Sequence, residues 1–145
     1  MRIVVQRVLE ASCSVNGEIV SEIKQGLLIF LGVCTDYNPQ DIEYFTRKCL
    51  ELRIFCDEQD KMNLSVKDIN GEILLISQFT LCGKTKRGRR QDFTSAANAD
   101  LAKKVYLDFA DALEKLGIIP KLGIFAADMK IFLINDGPVT IILER

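Results

Sequence analysis

The chain of 145 residues contains no histidine. That absence removes the commonest general base and the commonest metal ligand. It excludes any Ser-His or Cys-His mechanism within one chain, and a homo-oligomer cannot supply the missing residue. No apolar run approaches the length needed to span a membrane. The opening "MRIVVQRVLEAS" lacks a long apolar core and a clear small-residue cleavage site, so it reads as a first strand. The expectation is a cytoplasmic protein without membrane association. None of the five cysteines (Cys13, Cys34, Cys49, Cys56 and Cys82) pairs with another as C-x-x-C. Buried small hydrophobes in a reducing compartment are expected, rather than zinc ligands or a disulfide framework. Net charge is −1, so there is no global basic field to draw in a polyanion.

What is present is ordinary globular material, 48% hydrophobic and 27% charged. The length suits one domain, 1–145, with a real core. "RIVVQRV" (2–8) reads as a strand, and "SCSV" and "EIVSEI" flank the hairpin signal Asn16-Gly17. "LLIFLGVC" (27–34) is apolar on both faces and suits a central strand. Asn38-Pro39 reads as an N-cap followed by proline at the first helical position. Ile42, Phe45, Cys49 and Leu52 then share one helical face. "RIFCD" and "EILLISQFTL" (72–81) read as strands, with an Asn70-Gly71 turn between them. A second helix is expected from about Ser95 to Leu116, with Gly117 at its end and Pro120 beyond. Its expected buried stripe is Leu101, Val105, Phe109, Ala112 and Leu116. "MKIFLIN" and "VTIIL" close the chain as strands. The order implies an α+β domain with a mostly antiparallel or mixed β-sheet and two main helices.

Three stretches could carry chemistry. "SQFTL" (77–81) places hydroxyls at the end of a very apolar strand. Ser77 and Thr80 differ by three positions, so a regular strand sends them to opposite faces. They converge only if the strand ends or bulges there. Backbone N–H groups at such an end could form an oxyanion hole. The plain alternative is that the hydroxyls satisfy nearby backbone.

"KTKRGRR" (84–90) holds five cations and no acid. It is either a solvated surface or a phosphate-contacting loop, with Lys84, Lys86, Arg87, Arg89 and Arg90 as the contacts. Gly88 would let the backbone turn close to a ligand.

"NDGPVT" (135–140) interrupts strong strand sequence with a residue that packs nothing and one that donates nothing. A hairpin turn at Asp136-Gly137 explains it. So does a rigid rim of backbone carbonyls that crowds one substituent of a tetrahedral carbon, a chirality filter made without side chains.

Taken together, "SQFTL", "NDGPVT", "FAADMKIFLINDGP", "RIFCDEQDKMNLSV" and "QRVLEASCSVNGE" resemble the bacterial D-aminoacyl-tRNA deacylases from Met1 to about Leu143. One departure stands in the basic loop, where Gln91 occupies the family's usual proline. The resemblance implies a barrel-like sheet and hydrolysis of the ester joining a D-amino acid to the 3′ end of tRNA. It implies a homodimer with the active site at the interface and no cofactor. Ser77, Gln78, Phe79 and Thr80 would line one subunit's pocket. Gly137 and Pro138, joined by a cis bond in the family, would reach in from the other as the filter. Met129 matches a position near the terminal adenosine. Arg7 matches one that holds the Gly-Pro element.

The missing histidine then fits. The substrate ester is already activated, and the neighbouring ribose 2′-OH can assist water. Position and an oxyanion hole from Phe79 and Thr80 N–H groups would suffice. A Thr80 nucleophile is the other mechanism. A filter that clashes with an L side chain cannot exclude glycine, so glycyl-tRNA is an expected second substrate. Rival readings are a tRNA-binding module without turnover and a small-molecule esterase.

Overall fold

A computed structural model describes residues 1–84, 89 and 91–145. Among these residues eight strands and two helices follow one another. They are β1 (Arg2–Val15), β2 (Glu18–Ile23), β3 (Gly26–Gly32), α1 (Gln40–Glu51), β4 (Phe55–Cys56), β5 (Met62–Leu64), β6 (Glu72–Ser77), α2 (Ala99–Lys115), β7 (Lys121–Leu122) and β8 (Met129–Glu144). A short 3-10 turn, Phe79–Cys82, follows β6. The main sheet runs β2-β1-β3-β6-β7, and β8 pairs with β1 along nearly its whole length. The β3–β6 and β6–β7 pairs are parallel, and the others in this sheet are antiparallel. This is the mixed, nearly closed, barrel-like sheet with two helices that the α+β reading expects.

The central pair explains the shape. Leu27, Ile29, Leu31, Ile73 and Leu75 face the helices, packing with Phe45, Phe109 and Leu113. Leu28, Leu74 and Ile76 face the other way and are just as buried. Both faces therefore need cover. The helices provide one side. The second half of β1 and the first half of β8 provide the other, through Val8, Ala11 and Cys13 with Met129, Ile131 and Leu133 packed against them.

To reach across, the β1–β8 ribbon bends. Gln6 pairs with Thr140 and Val8 with Asn135, so β8 carries extra residues where β1 has nearly none. Such an insertion bends a strand and increases its local twist. Asp136, Gly137, Pro138 and Val139 of β8 stand there against Arg7 alone. The "MKIFLIN" and "VTIIL" segments are thus one long strand broken at its bend, not two strands. The hairpin at Asn16-Gly17 forms as expected, with both residues at positive φ (53° and 83°).

Several expectations shift. Helix α1 starts at Gln40, and Pro39, not Asn38, occupies the cap position; Asn38 Oδ1 still accepts the Gln40 N–H at 3.0 Å. Helix α2 starts at Ala99 rather than Ser95, where Asn98 accepts the Leu101 N–H at 2.9 Å. Its buried stripe runs through Ala102, Val105, Tyr106, Phe109, Ala110 and Leu113, and Leu101 lies exposed. Val105 and Phe109 are buried as expected, whereas Ala112 and Leu116 are only half-buried. Strand β6 ends at Ser77, four residues before the expected Leu81. The cysteine reading is also corrected. Cys34 and Cys82 are joined by a disulfide, and Cys56 is exposed, while Cys13 and Cys49 are buried as expected. Burial pushes the Cys49 thiol up to about 12.

Gly26 opens β3 against β6 so closely that a Cβ there would meet the Glu72 carbonyl oxygen at 1.9 Å. Backbone on both sides leaves nothing to yield. Gly26→Ala should cost about 3 kcal/mol in urea denaturation. Gly117→Ala, which meets nothing within 4 Å but sits at φ +100°, should cost about 1 kcal/mol. A Gly26→Ala protein as stable as Gly117→Ala would contradict this account of the β3–β6 contact.

Candidate active site

Strands β3 and β6 end together, with Leu31 opposite Ser77. Beyond them the chain turns sharply. Gln78 N–H donates to the Leu31 carbonyl at 2.8 Å, and residues 79–82 wind into the 3-10 turn. Arg2 Nη1 holds the turn from below, donating to the Leu81 carbonyl at 2.8 Å. Gly32 permits the close approach, since a Cβ there would lie 2.8 Å from Leu81 Cβ. The early end of the strand leaves Ser77 at its last position and carries Thr80 into the turn that follows.

A cavity of about 480 Å³ opens at these strand ends. Ser77, Gln78 and Phe79 form one lip. Leu31, Val33 and Ile76 form the floor, and Ala102 and Tyr106 of α2 one wall. Phe125, Met129 and Ile131 form the wall opposite. The size and the mostly apolar lining suit a small organic group with few polar contacts. Tyr106 is buried and donates its hydroxyl to the Leu75 carbonyl at 2.8 Å, and burial pushes its pKa up. Asp128 at the rim is ion-paired with Lys130 at 2.7 Å. Among the described lining residues these two alone carry ionisable side chains.

Thr80 Oγ1 accepts a hydrogen bond from Gln78 Nε2 at 2.6 Å. An amide cannot remove the hydroxyl proton. Phe79 is exposed and rests edge-on against Phe93, ring centroids 5.3 Å apart. Phe79 and Thr80 stand first in the turn, where helical backbone N–H groups have no partner within the turn itself.

Gly137 and Pro138 lie elsewhere, at the bend of β8, and are exposed. Their peptide bond is cis. Neither is among the residues that line the cavity. The bend is held from inside. Arg7, buried, donates Nε to the Asp136 carbonyl at 3.1 Å and pairs with its carboxylate at 3.1 Å. Its Nη1 donates to the Ile54 carbonyl. Asn135 Oδ1 accepts the Val139 N–H at 3.1 Å, closing the loop across Gly137-Pro138. Gly137 sits at φ +115°, and a Cβ there would lie 2.7 Å from Arg7 Nη2. Only glycine suits both conditions.

The sequence-level candidates therefore divide in two. Ser77, Gln78, Phe79 and Met129 gather at the cavity, with Thr80 on the same turn. Arg7, Gly137 and Pro138 gather at the bend. Of the basic loop, Lys84 and Arg89 are exposed, and Lys84 pairs with Asp92 through backbone bonds of 2.8 and 3.1 Å. Lys86, Arg87 and Arg90 lie outside the described residues, as does Gly88. Missed entirely were the walls, Tyr106, Ala102 and Phe125. The signal for Phe125 lay in the quoted "FAADMK" stretch. The helix residues offered none, because a buried Tyr or Ala on a helix reads as core.

A family model described as D-Tyr-tRNA(Tyr) deacylase matches residues 4–144. A D-aminoacyl-tRNA deacylase of Thermosipho africanus is 48% identical over 144 residues, covering 99% of this chain and 97% of its own. One from Dictyoglomus turgidum is 51% identical over 144 residues, covering 99% and 92%. Among solved structures, a c-Myc DNA unwinding element binding protein superposes with a TM-score of 0.95 at 40% identity, covering 100% of this chain and 99% of its own. A probable eukaryotic D-amino acid tRNA deacylase shares the fold, with a TM-score of 0.80 at 18% identity and 98% and 97% covered. No helix among the described residues is long and apolar enough to cross a membrane. Matched along almost its whole length by this family model and by relatives about half identical, the chain belongs to the D-Tyr-tRNA(Tyr) deacylase family, a family of hydrolases.

Proposed function

We propose that this protein hydrolyses the ester bond of D-aminoacyl-tRNA, releasing the D-amino acid and the tRNA, and that it works as a homodimer. Full-length identity of about half to D-aminoacyl-tRNA deacylases carries the reading. The cavity at the ends of β3 and β6 takes the aminoacylated 3′ end, with Met129 on the wall nearest the terminal nucleoside. Phe79 and Thr80 N–H groups stabilise the oxyanion as water attacks, assisted by the ribose 2′-OH. Ser77 and Gln78 shape the lip. Lys84 and Arg89, together with the other cations of the basic loop, meet the tRNA phosphates.

Chirality is read by Gly137 and Pro138 of a second copy. Three observations support this. The pair is exposed, it is anchored by Arg7 and Asn135, and it is not part of its own chain's cavity lining. A site that depends on it is incomplete without a partner.

The substrate test uses one tRNA charged in turn with D-tyrosine, L-tyrosine and glycine. The D and glycyl esters should be cleaved and the L ester spared, because a steric filter rejects a misplaced side chain and glycine has none. Survival of glycyl-tRNA would mean that the pocket reads the D side chain positively and would end the steric account.

Mechanism is tested at Thr80. Its hydroxyl is held by an amide rather than a base. Thr80→Ala should therefore keep turnover within about threefold of wild type, because the backbone N–H is retained. A fall of about a thousandfold, restored by Thr80→Ser, would instead make Thr80 the nucleophile.

A further inference from the structure

Cys34 lies just beyond β3, and Cys82 closes the 3-10 turn that carries Phe79 and Thr80. Their Cα atoms are 5.6 Å apart and a disulfide joins them. Nothing in the proposed deacylation uses this bond. Its position is nonetheless at the centre of the site. On one side it holds the turn. On the other it holds residues 33–35, which bond to the segment 95–97: Thr35 N–H donates to the Ser95 carbonyl at 2.9 Å and Ala97 N–H to the Val33 carbonyl at 3.0 Å. Val33, Ala97 and Phe79 all line the cavity. The bond thus ties the lip of the cavity to its floor.

The same bond lies just beneath a second opening in the surface. Cys34 and Cys82 border a separate cleft of about 460 Å³, with Arg2, Thr35, Lys84 and Ser95. Cys34 is 6% exposed and Cys82 1%, so a thiol reagent meets the sulfurs from this cleft, without passing through the active-site cavity, when the turn opens locally.

We propose that Cys34–Cys82 is a reversible redox site that sets the geometry of the active-site turn. A thiolate of a dithiol reductant attacks one sulfur, the S–S bond breaks, and the other cysteine leaves as a thiolate and takes up a proton. The reductant's second thiol then displaces the first cysteine and closes the reductant's own disulfide. Two electrons pass to the protein, and two cysteine thiols result. A disulfide oxidant reverses the sequence.

The reduced state stays folded at the turn, because non-covalent ties remain. These are Gln78 to Leu31, Arg2 to Leu81, and the close contact of Leu81 with Gly32. What is lost is the covalent limit on how far the turn can drift from the floor. Small displacements of positioned groups cost rate steeply. The effect on rate rests on the deacylase reading; the redox site itself does not.

The test equilibrates the purified protein with oxidised or reduced dithiothreitol. After denaturation and alkylation, the oxidised protein should show only Cys13, Cys49 and Cys56 as free thiols, and the reduced protein all five cysteines. Reduction should lower Tm by about 10 °C, from the entropy of opening a loop of 48 residues. Amide exchange across 79–83 should rise, and kcat on D-tyrosyl-tRNA should fall about tenfold. Cys34→Ser/Cys82→Ser should match the reduced enzyme and ignore the reagent. Five alkylated thiols after oxidation, or exchange across the turn that is the same in both states, overturns the proposal. Absence of deacylation in both states would count against the functional reading alone, since thiol count, melting and exchange decide the redox site without it.

Discussion

Strands β3 and β6 are apolar on both faces, and both faces must be kept from water. Burying a Leu or Ile side chain is worth about 1.5–3 kcal/mol. Leu28, Leu74 and Ile76 together are therefore not expendable. Two helices can cover only one side of the pair. The other side is covered by the far half of a single long ribbon, β1 with β8, which must bend to get there. That bend places four residues of β8 opposite a single residue of β1. Asp136, Gly137, Pro138 and Val139 are those residues. The feature that looks like a flaw in a strand is the corner that lets the strand cover the second face.

The corner also has to be held. A loose insertion would fray, and Arg7 prevents this by gripping Asp136 from a buried position on β1 while anchoring to Ile54. A guanidinium suits the task because its fork serves several acceptors at once. The result is an exposed, rigid backbone edge on one part of the surface. The cavity with its 3-10 turn sits on another part, at the ends of the parallel strands. The proposed division of labour between two copies rests on that separation. Within one cavity the chemistry is spare. Tyr106 is committed to the Leu75 carbonyl and Asp128 to Lys130, so catalysis by positioning and backbone N–H groups fits what surrounds the substrate.

Much of this was legible in the sequence, and for definite reasons. The run 27–34 is apolar at every position, which marks a strand covered on both sides. Asn16-Gly17 between alternating segments marks a hairpin. The Gly-Pro interruption announced that the last strand region was special. Other features were hidden because they depend on neighbours distant in the chain. The expected stripe of α2 failed at Leu101, which lies exposed, while the buried Ala102 and Ala110 give no hydrophobic signal of that strength. The run 72–81 reads as one strand, yet it stops at Ser77, where Gly32 lets the turn fold onto β3. Cys34 and Cys82 are 48 positions apart, and only the adjacency of β3's end with the turn brings them together. The resemblance supplied the motifs at the lip and at the corner but not the cavity's helical wall.

The central claim is that Gly137 and Pro138 of one copy police the cavity of another. It is tested most directly by subunit mixing, read as L-tyrosyl-tRNA hydrolysis. Gly137→Ala displaces the corner, because its Cβ meets Arg7, and the homodimer should then cleave the L ester as well as the D ester. This variant is exchanged into an excess of Ala127→Phe subunits, whose own cavities are filled but whose corners are intact. In an isologous dimer each open cavity then faces an intact corner from its partner. L-ester hydrolysis should disappear while D-ester hydrolysis persists. An L rate unchanged by mixing would show that the corner acts within its own chain and would contradict the account.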